Sequence, residues 1–457
     1  MHIHILGICG TFMGGIALIA KQAGHKVTGS DLNVYPPMSD ELQEAGIEIY
    51  QGYGAEQLDT KPDLIVVGNV MKRGMPVIER MLNEHLKYVS GPGFLEELYL
   101  REKTVLAVSG THGKTTTTAM LTWILEHAGL NPGFLVGGIP ENFGYSARGS
   151  DSKYFVIEAD EYDCAFFDKR SKFVHYHPDI AIINNIEFDH ADIFNSIEDI
   201  KKQFHHMVRI VPSNGAVIYP YDDVNALSTI KMGLWSKDIG VGSDNCPYKL
   251  EITAADGSKF KILNASGALE CEVELNATGM HNARNAFMAL LAAHEAGVPF
   301  AKGAEAMALF KMPKRRMELV AKIGTVEVYD DFAHHPTAIK TTLDGLRKHV
   351  GEDRRIVCVF EPRSNTMKMG GNSELLGASF NDADEVFVYH NEAVSWDMSV
   401  LVKDCAKPLH IVDTSTADLI DEVVKATDDN TTVVVMSNGG FENVKGRLAD
   451  ALKAAKA

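Results

Sequence analysis

The stretch best equipped for chemistry is Gly110-Thr111-His112-Gly113-Lys114-Thr115-Thr116. It follows the short apolar run Val105 to Val108 and leads into a helical pattern from Thr115 to His127. A buried strand, a glycine-containing turn and a helix start, in that order, offer a nest of backbone amides and a helix N-terminus that cradle phosphates. Lys114 then reaches the outer phosphates of a nucleoside triphosphate, and the Thr115 hydroxyl binds magnesium. Val108 stands where the general G-x-x-x-x-G-K-[ST] form carries its first glycine, so the stretch is the shorter variant. The bland alternative is a glycine-rich turn with no ligand.

Phosphoryl transfer needs a metal held by hard oxygen ligands, with an imidazole as a further option. Two clusters carry such groups: Glu158-Ala159-Asp160-Glu161 and Glu187-Phe188-Asp189-His190. Each follows a strand, Tyr154 to Ile157 and Ile180 to Asn184. Parallel strands end on the same sheet edge as the phosphate loop, so these side chains converge on one site. Taken singly, each cluster is equally consistent with a solvated turn.

Four further stretches are dense in functional groups. Gly7-Ile8-Cys9-Gly10-Thr11-Phe12-Met13-Gly14-Gly15 follows a strand and opens a helix, with Asp31 ending the second strand. This resembles a dinucleotide fingerprint with an acid for a ribose hydroxyl, although its spacing departs from G-x-G-x-x-G. A nucleotide diphosphate other than NAD, or a purely structural turn, remains open. Asn282 and Asn285 stand one helical turn apart, placed for one ligand or for a helix cap. Asp330-Asp331-Phe332-Ala333-His334-His335-Pro336 concentrates titratable groups after a strand. Arg363, with Ser364, Asn365 and Lys368, follows the strand Ile356 to Phe360 and suits bidentate carboxylate recognition, or pairing with a surface acid. His175, His177, His205 and His206 read as ordinary core or surface histidines.

The elements that must position these residues alternate strand and helix. In the first hundred or so positions, His2 to Leu6, His25 to Ser30 and Leu64 to Val67 read as strands and Ile16 to Ala23 as a helix, which predicts a parallel doubly wound sheet. Glu96 to Lys103 reads as a helix end and linker. The second unit adds a strand at Ala216 to Tyr219, an antiparallel meander between Leu250 and Leu275, and a closing helix from Asn282 to Ala296. Lys311 to Arg316, with Pro313, reads as the second linker. Strand-like runs at Val326 to Tyr329, Ile356 to Phe360, Glu385 to Tyr389 and Thr432 to Met436 then predict another doubly wound unit.

At 457 residues the chain exceeds one hydrophobic core, and 45% hydrophobic with 23% charged residues is an ordinary globular composition. The net charge of −17, without a basic run, argues against nucleic acid and anionic membranes as partners. Phosphates must be gripped locally, by amides and a few placed cations. Six scattered cysteines suggest reduced thiols rather than a zinc site or disulfide framework. Without a signal segment or an 18-residue apolar stretch, the expectation is a cytoplasmic protein with no membrane insertion.

Together these stretches resemble the Mur ligase family, ATP-dependent amide-forming enzymes of bacterial cell-wall precursor synthesis. The motifs stand in the family's order over essentially the whole chain: the N-terminal turn, Gly-Thr-His-Gly-Lys-Thr, Glu-Ala-Asp-Glu, Asp-His-Ala-Asp, His-Asn-x-x-Asn, and Asp-Asp-x-x-His-His-Pro. The resemblance implies an α/β, three-domain architecture: a Rossmann-like UDP-sugar-binding domain at 1–103, a central P-loop ATPase domain with the meander at 104–313, and a Rossmann-like acceptor-peptide domain at 314–457. It also implies ATP as substrate and two magnesium ions, with manganese able to substitute.

The residue roles implied follow the motifs. Gly110, Thr111, His112, Gly113, Lys114, Thr115 and Thr116 would hold the phosphates, with Lys114, Glu158 and His190 catalytic. Thr115 would bind the first metal, and Glu158 and His190 the second. Asn282 and Asn285 would sit near adenine, Arg316 on the phosphates and Asp331 on the ribose. Gly7, Gly10, Thr11, Phe12 and Met13 would carry the UDP moiety with Asp31 at its edge, and His335, Arg363 and Asn365 would meet the acceptor. Cys9 stands where the L-alanine-adding members carry glycine. Later members have a carbamylated lysine in a register that reads Gln203-Phe204-His205 here, so none is expected.

Within the family the N-terminal turn, Gly29 to Asp31 and the Asp-Asp-Phe-Ala-His-His-Pro stretch resemble members that add L-alanine to UDP-N-acetylmuramate. Glu161 to Arg170, Glu361 to Gly370 and Ser437 to Phe441 resemble members that attach the recycled tripeptide L-Ala-γ-D-Glu-meso-diaminopimelate instead. The expected partners are therefore ATP, UDP-N-acetylmuramate and the murein tripeptide, with L-alanine the alternative acceptor. Two rivals from other classes are a nucleotide-gated switch and a nicotinamide-dependent dehydrogenase.

Overall fold

Residues 1–34, 38–190, 193–244 and 246–456 are described by a computed structural model. Ala191 and Asp192, the second half of the Asp-His-Ala-Asp stretch, lie outside the described residues. The N-terminal sheet has five parallel strands in the order Glu48–Gln51, Lys26–Asp31, His2–Leu6, Leu64–Val67 and Tyr88–Ser90. Its central strands are apolar without alternation because helices cover both faces. Ile3 and Ile5 pack toward the helix Thr11–Gln22, whereas Leu6, Ile65 and Val67 pack against Val77 and Ile78 of Pro76–Asn83. The order reverses between His2–Leu6 and Leu64–Val67, and the turn from Gly7 emerges at that switch point, where α/β sheets bind ligands.

The central sheet has seven strands, in the order Lys237–Val241, Ala216–Pro220, Ile180–Ile183, Thr104–Ser109, Tyr154–Glu158, Gly133–Leu135 and Ala147–Arg148. Only the last pairing is antiparallel. The three strands that end in chemistry, Ile180–Ile183, Thr104–Ser109 and Tyr154–Glu158, are adjacent and parallel, so the phosphate loop and both acidic clusters leave the same edge. The expected meander consists of Tyr248–Ile252, Lys259–Asn264 and Leu269–Glu274. Its inward residues Phe260, Ile262 and Val273 join a core with the helices Lys114–His127 and Met280–Glu295.

The third sheet runs Glu318–Ile323, Val326–Asp331, Thr431–Met436, Arg355–Phe360, Glu385–Tyr389 and Leu409–Val412. Patterning places its first strand at Val326 to Tyr329, but an antiparallel edge strand, Glu318–Ile323, precedes it. Charged residues interrupt that strand's apolar pattern, as edge strands tolerate. The α/β, three-unit architecture agrees with the expectation from sequence. Among the described residues, no helix is long and apolar enough to cross a membrane.

Candidate active site

The phosphate loop is held open by two left-handed glycines. Gly110 has φ +136° and Gly113 φ +78°, and a Cβ on either would press on Asn184. The loop hangs on the strand Ile180–Ile183 through Asn184 and Asn185. Asn184 Nδ2 donates to Thr117 Oγ1 (2.9 Å), and Asn185 Oδ1 accepts from the His112 amide (2.8 Å). Asn285 lies against the same loop, within 3.1 Å of where a Gly113 Cβ would stand. Asn282, one turn earlier, donates to the Thr278 carbonyl (2.7 Å).

Lys114 Nζ folds back to donate to the Gly110 carbonyl (2.7 Å) and to Glu161 Oε2 (3.3 Å), with Asp160 Oδ1 at 3.8 Å. Burial favours a neutral Lys114, yet Glu161, Asp160 and Glu158 outweigh it and raise its pKa. The ammonium is thus poised among carboxylates at the mouth of a phosphate nest. Glu158 accepts from Thr115 Oγ1 (3.0 Å) and from the Gly137 amide (2.7 Å). Burial and then the neighbouring Asp160 push the Glu158 carboxyl up.

His190 sits at a positive φ of 53°, its Nε2 3.4 Å from Glu161 Oε1. Burial opposes its protonation, but Glu161 and then Asp189 raise its pKa. Thr115 and Glu158 are therefore in contact, whereas His190 is paired with Glu161. Hard oxygens dominate this donor set and no sulfur enters it, which fits magnesium completed by phosphate and water.

The N-terminal turn faces this centre. Gly10 caps the helix Thr11–Gln22 without a side-chain acceptor, leaving its first amides available to an anion. Asp31 holds the turn itself, accepting from the Cys9 and Asn33 amides (2.9 and 3.0 Å). Burial, reinforced by Asp31, pushes the Cys9 thiol up to about 11. Phe12 contacts Lys172, whose ammonium lies 4.4 Å from that ring and 4.2 Å from the Tyr162 ring, and pairs with Asp160 at 3.2 Å. A buried cation thereby connects the turn to the acidic cluster.

From the third unit, Arg316 Nη2 reaches Thr115 Oγ1 at 3.5 Å. Asp331 accepts from the Met317 and Ala333 amides (both 2.8 Å), so its carboxylate shapes the linker beside Arg316. A cavity of about 340 Å³ joins the second and third units, lined by Asp189 and His190 of the second and by His334, Arg363, Asn365 and Lys368 of the third. Thr366 donates to Asp189 Oδ1 across this seam (3.1 Å). Arg363 lies 3.6 Å from buried Glu361 and remains half exposed toward the cavity. Glu361 in turn accepts from Ser437 Oγ (2.6 Å), which brings the Glu361 to Gly370 and Ser437 to Phe441 stretches together. His335 stands apart from Arg363: its Nε2 meets Asn372 at 3.1 Å and its ring stacks obliquely on His112 at 4.5 Å.

Sequence reasoning counts Glu161 within a metal-binding cluster and gives Lys172 no part, whereas Glu161 holds Lys114 and His190 and Lys172 holds Asp160. Glu161 is the last residue of Glu-Ala-Asp-Glu, and no local pattern signals Lys172. It also passed over Asn184 and Asn185. His175, read as ordinary, is buried between two carboxylates, Nδ1 3.1 Å from Glu96 and Nε2 2.8 Å from Asp168. It ties the helix Gly91–Leu98 to the hairpin Asp163–Ala165 with Asp168–Ser171. Gln203, in the register where later members carry a carbamylated lysine, accepts from Ser171 Oγ at 2.9 Å.

Three family patterns match consecutive parts of the chain: "Mur ligase family, catalytic domain" over residues 2–103, "Mur ligase middle domain" over 108–293, and "Mur ligase, glutamate ligase domain" over 315–439. The UDP-N-acetylmuramate–L-alanyl-γ-D-glutamyl-meso-2,6-diaminoheptandioate ligase of Escherichia coli (strain K12) is 51% identical over 455 residues, covering 99% of this chain and 98% of that protein. A UDP-N-acetylmuramate–L-alanine ligase of Syntrophomonas wolfei is 31% identical, over 98% and 97% of the two chains. The crystal structure of a murein peptide ligase from Psychrobacter arcticus 273-4 superposes with a TM-score of 0.75 at 45% identity, covering 99% of each chain. The chain belongs to the Mur ligase family, whose members are ATP-dependent ligases that use magnesium.

Proposed function

We propose that this protein joins the amino group of L-Ala-γ-D-Glu-meso-diaminopimelate to the lactyl carboxylate of UDP-N-acetylmuramate, converting ATP to ADP and phosphate. The carrying observation is the cavity beside His190, where Arg363 and Lys368 enter from the third unit. The tripeptide bears several carboxylates and needs fixed cations; L-alanine bears one. The half-identical relative named for that peptide supports the same acceptor.

In this reading the muramoyl carboxylate takes the γ-phosphoryl group to form an acyl phosphate, and the peptide amine then displaces phosphate. No side chain acts as a nucleophile. Lys114 leaves the Gly110 carbonyl for the β- and γ-phosphate oxygens, and the phosphate-loop amides hold the same groups. Thr115, Glu158 and His190 would hold two magnesium ions, replaceable by manganese, and bound there these would supply positive charge against the transferring phosphoryl group. Glu161 orients His190 and receives Lys114 between turnovers. Asn282 and Asn285 position the adenine of ATP, Asp331 its ribose and Arg316 its phosphates. The UDP moiety rests on Gly7, Gly10, Thr11, Phe12 and Met13, with Asp31 fixing the turn, and His335, Arg363 and Asn365 serve the acceptor side. We place the domain boundaries at 1–103, 104–313 and 314–457, and the enzyme in the cytoplasm with small-molecule partners and no nucleic acid.

The test is phosphate release from ATP and UDP-N-acetylmuramate, with L-alanine and the tripeptide offered separately. The tripeptide should drive release far faster, and Arg363→Ala should raise its KM while sparing nucleotide binding. Efficient use of L-alanine, with the tripeptide ignored, would overturn the acceptor assignment.

A further inference from the structure

Glu187 stands outside the roles above, yet it touches both sides of the seam. Its backbone is locked to the phosphate loop: its amide donates to Thr111 Oγ1 (2.9 Å), and that hydroxyl donates back to the Glu187 carbonyl (3.2 Å). Its carboxylate Oε2 lies 3.4 Å from His112 Nε2, within the same loop. From the third unit, Thr337 Oγ1 donates to the same oxygen (2.7 Å), and His335 Nδ1 lies 3.5 Å away. His335 caps the fifteen-residue helix Pro336–Val350 and Thr337 lies in its first turn, so the carboxylate also meets that helix's positive end.

We infer that Glu187 is a positioning residue that couples the phosphate loop to the acceptor-carrying third domain. The loop lies between two left-handed glycines, so a shift of Gly110 to Gly113 on nucleotide binding carries the His112 imidazole with it. Because one carboxylate oxygen serves both His112 and Thr337, that shift is transmitted to the start of Pro336–Val350. The neighbouring bond from Thr366 to Asp189 then sets the wall of the cavity that holds Arg363. Nucleotide occupancy is in this way expressed as acceptor placement. Glu187 touches no reacting atom.

This inference rests on the ligase reading for its kinetic readout but not for its physical one. Glu187→Ala, Glu187→Gln, Thr337→Val and the double Glu187→Ala/Thr337→Val variant are compared with the wild-type protein. Tripeptide kcat/KM and ADP affinity are measured for each. Loss of a hydrogen bond to a charged group corresponds to about tenfold or more. Glu187→Ala should therefore lower kcat/KM about tenfold while ADP affinity stays within about twofold, and the double variant should be no worse than Glu187→Ala alone. Glu187→Gln keeps the acceptor for Thr337 and should recover part of the loss. Additive effects of the two sites, or a loss confined to ADP affinity, would overturn the coupling. The same cycle on the thermal midpoint with ADP bound needs no acceptor: non-additivity supports the coupling and additivity overturns it. A wild-type enzyme that ignores the tripeptide would count only against the ligase reading.

Discussion

Lys114 carries two duties that pull in different directions. In the proposed mechanism it is the cation for the phosphates, and in this structure it pairs with Glu161 and Asp160 inside the protein. Lys114→Ala should abolish ligation, a loss on the scale of 10²- to 10³-fold or more for a transition-state charge contact. It should also lower stability by about 3–5 kcal/mol, the usual cost of stranding a buried charge. Adding Glu161→Gln should recover much of the melting temperature and none of the activity. A single variant that melts like wild type would mean the carboxylates do not depend on this ammonium. From sequence alone only the proposed phosphate-binding duty is legible, because Gly-x-x-Gly-Lys-Thr is a local pattern. The pairing of Lys114 with Glu161, and of Lys172 with Asp160, arises from strand adjacency that no local spacing encodes.

At the scale of elements, the strand–loop–helix from Thr104–Ser109 to Lys114–His127 does most of the positioning, and its glycines are where it is brittle. Gly113→Ala puts a side chain at φ +78°, which costs about 1–2 kcal/mol, and drives its Cβ against the Asn184 and Asn285 amides. ADP affinity should fall at least about tenfold with a modest drop in melting temperature. Unchanged affinity would show that the loop tolerates a right-handed conformation there. The element is readable from sequence because its strand is an apolar run in the middle of a sheet and its turn is punctuated by glycine. Short edge and rim strands were not. Gly133–Leu135 and Ala147–Arg148 are too short to show a period, and Glu318–Ile323 mixes charges into its pattern because one side is solvated. The partly exposed hairpin around Asp163 to Ser171 was legible only as a resemblance, since its charged residues pair with one another rather than alternate.

For the whole molecule, the seam between the second and third domains holds three histidines whose burial favours the neutral form. His281, His334 and His335 are each lowered to about 4, burial being the leading cause, and His281 faces Arg316 and Asp344 across the seam. His4, in the first domain, is held at about 4 for the same reason. Each has a folded pKa below its unfolded value of 6.5, so the unfolded chain takes up protons that the native one refuses. The stability these groups contribute is complete above 6.5 and is lost as pH falls from there toward 4, each adding a slope of up to about 1.4 kcal/mol per pH unit. Carboxylates act elsewhere on the scale: Glu187, held to about 2 by His112 and Thr337 against its burial, loses its contribution only below 4.5. The melting temperature should therefore fall steeply between about pH 6 and 4.5, before carboxylate protonation dominates. His281→Gln removes one of the four uptakes without adding a charge to the seam, so its slope through that interval should be visibly shallower than the wild type's. A slope equal to the wild type's in both His281→Gln and His4→Gln would mean that the acid sensitivity comes from groups other than these two buried histidines.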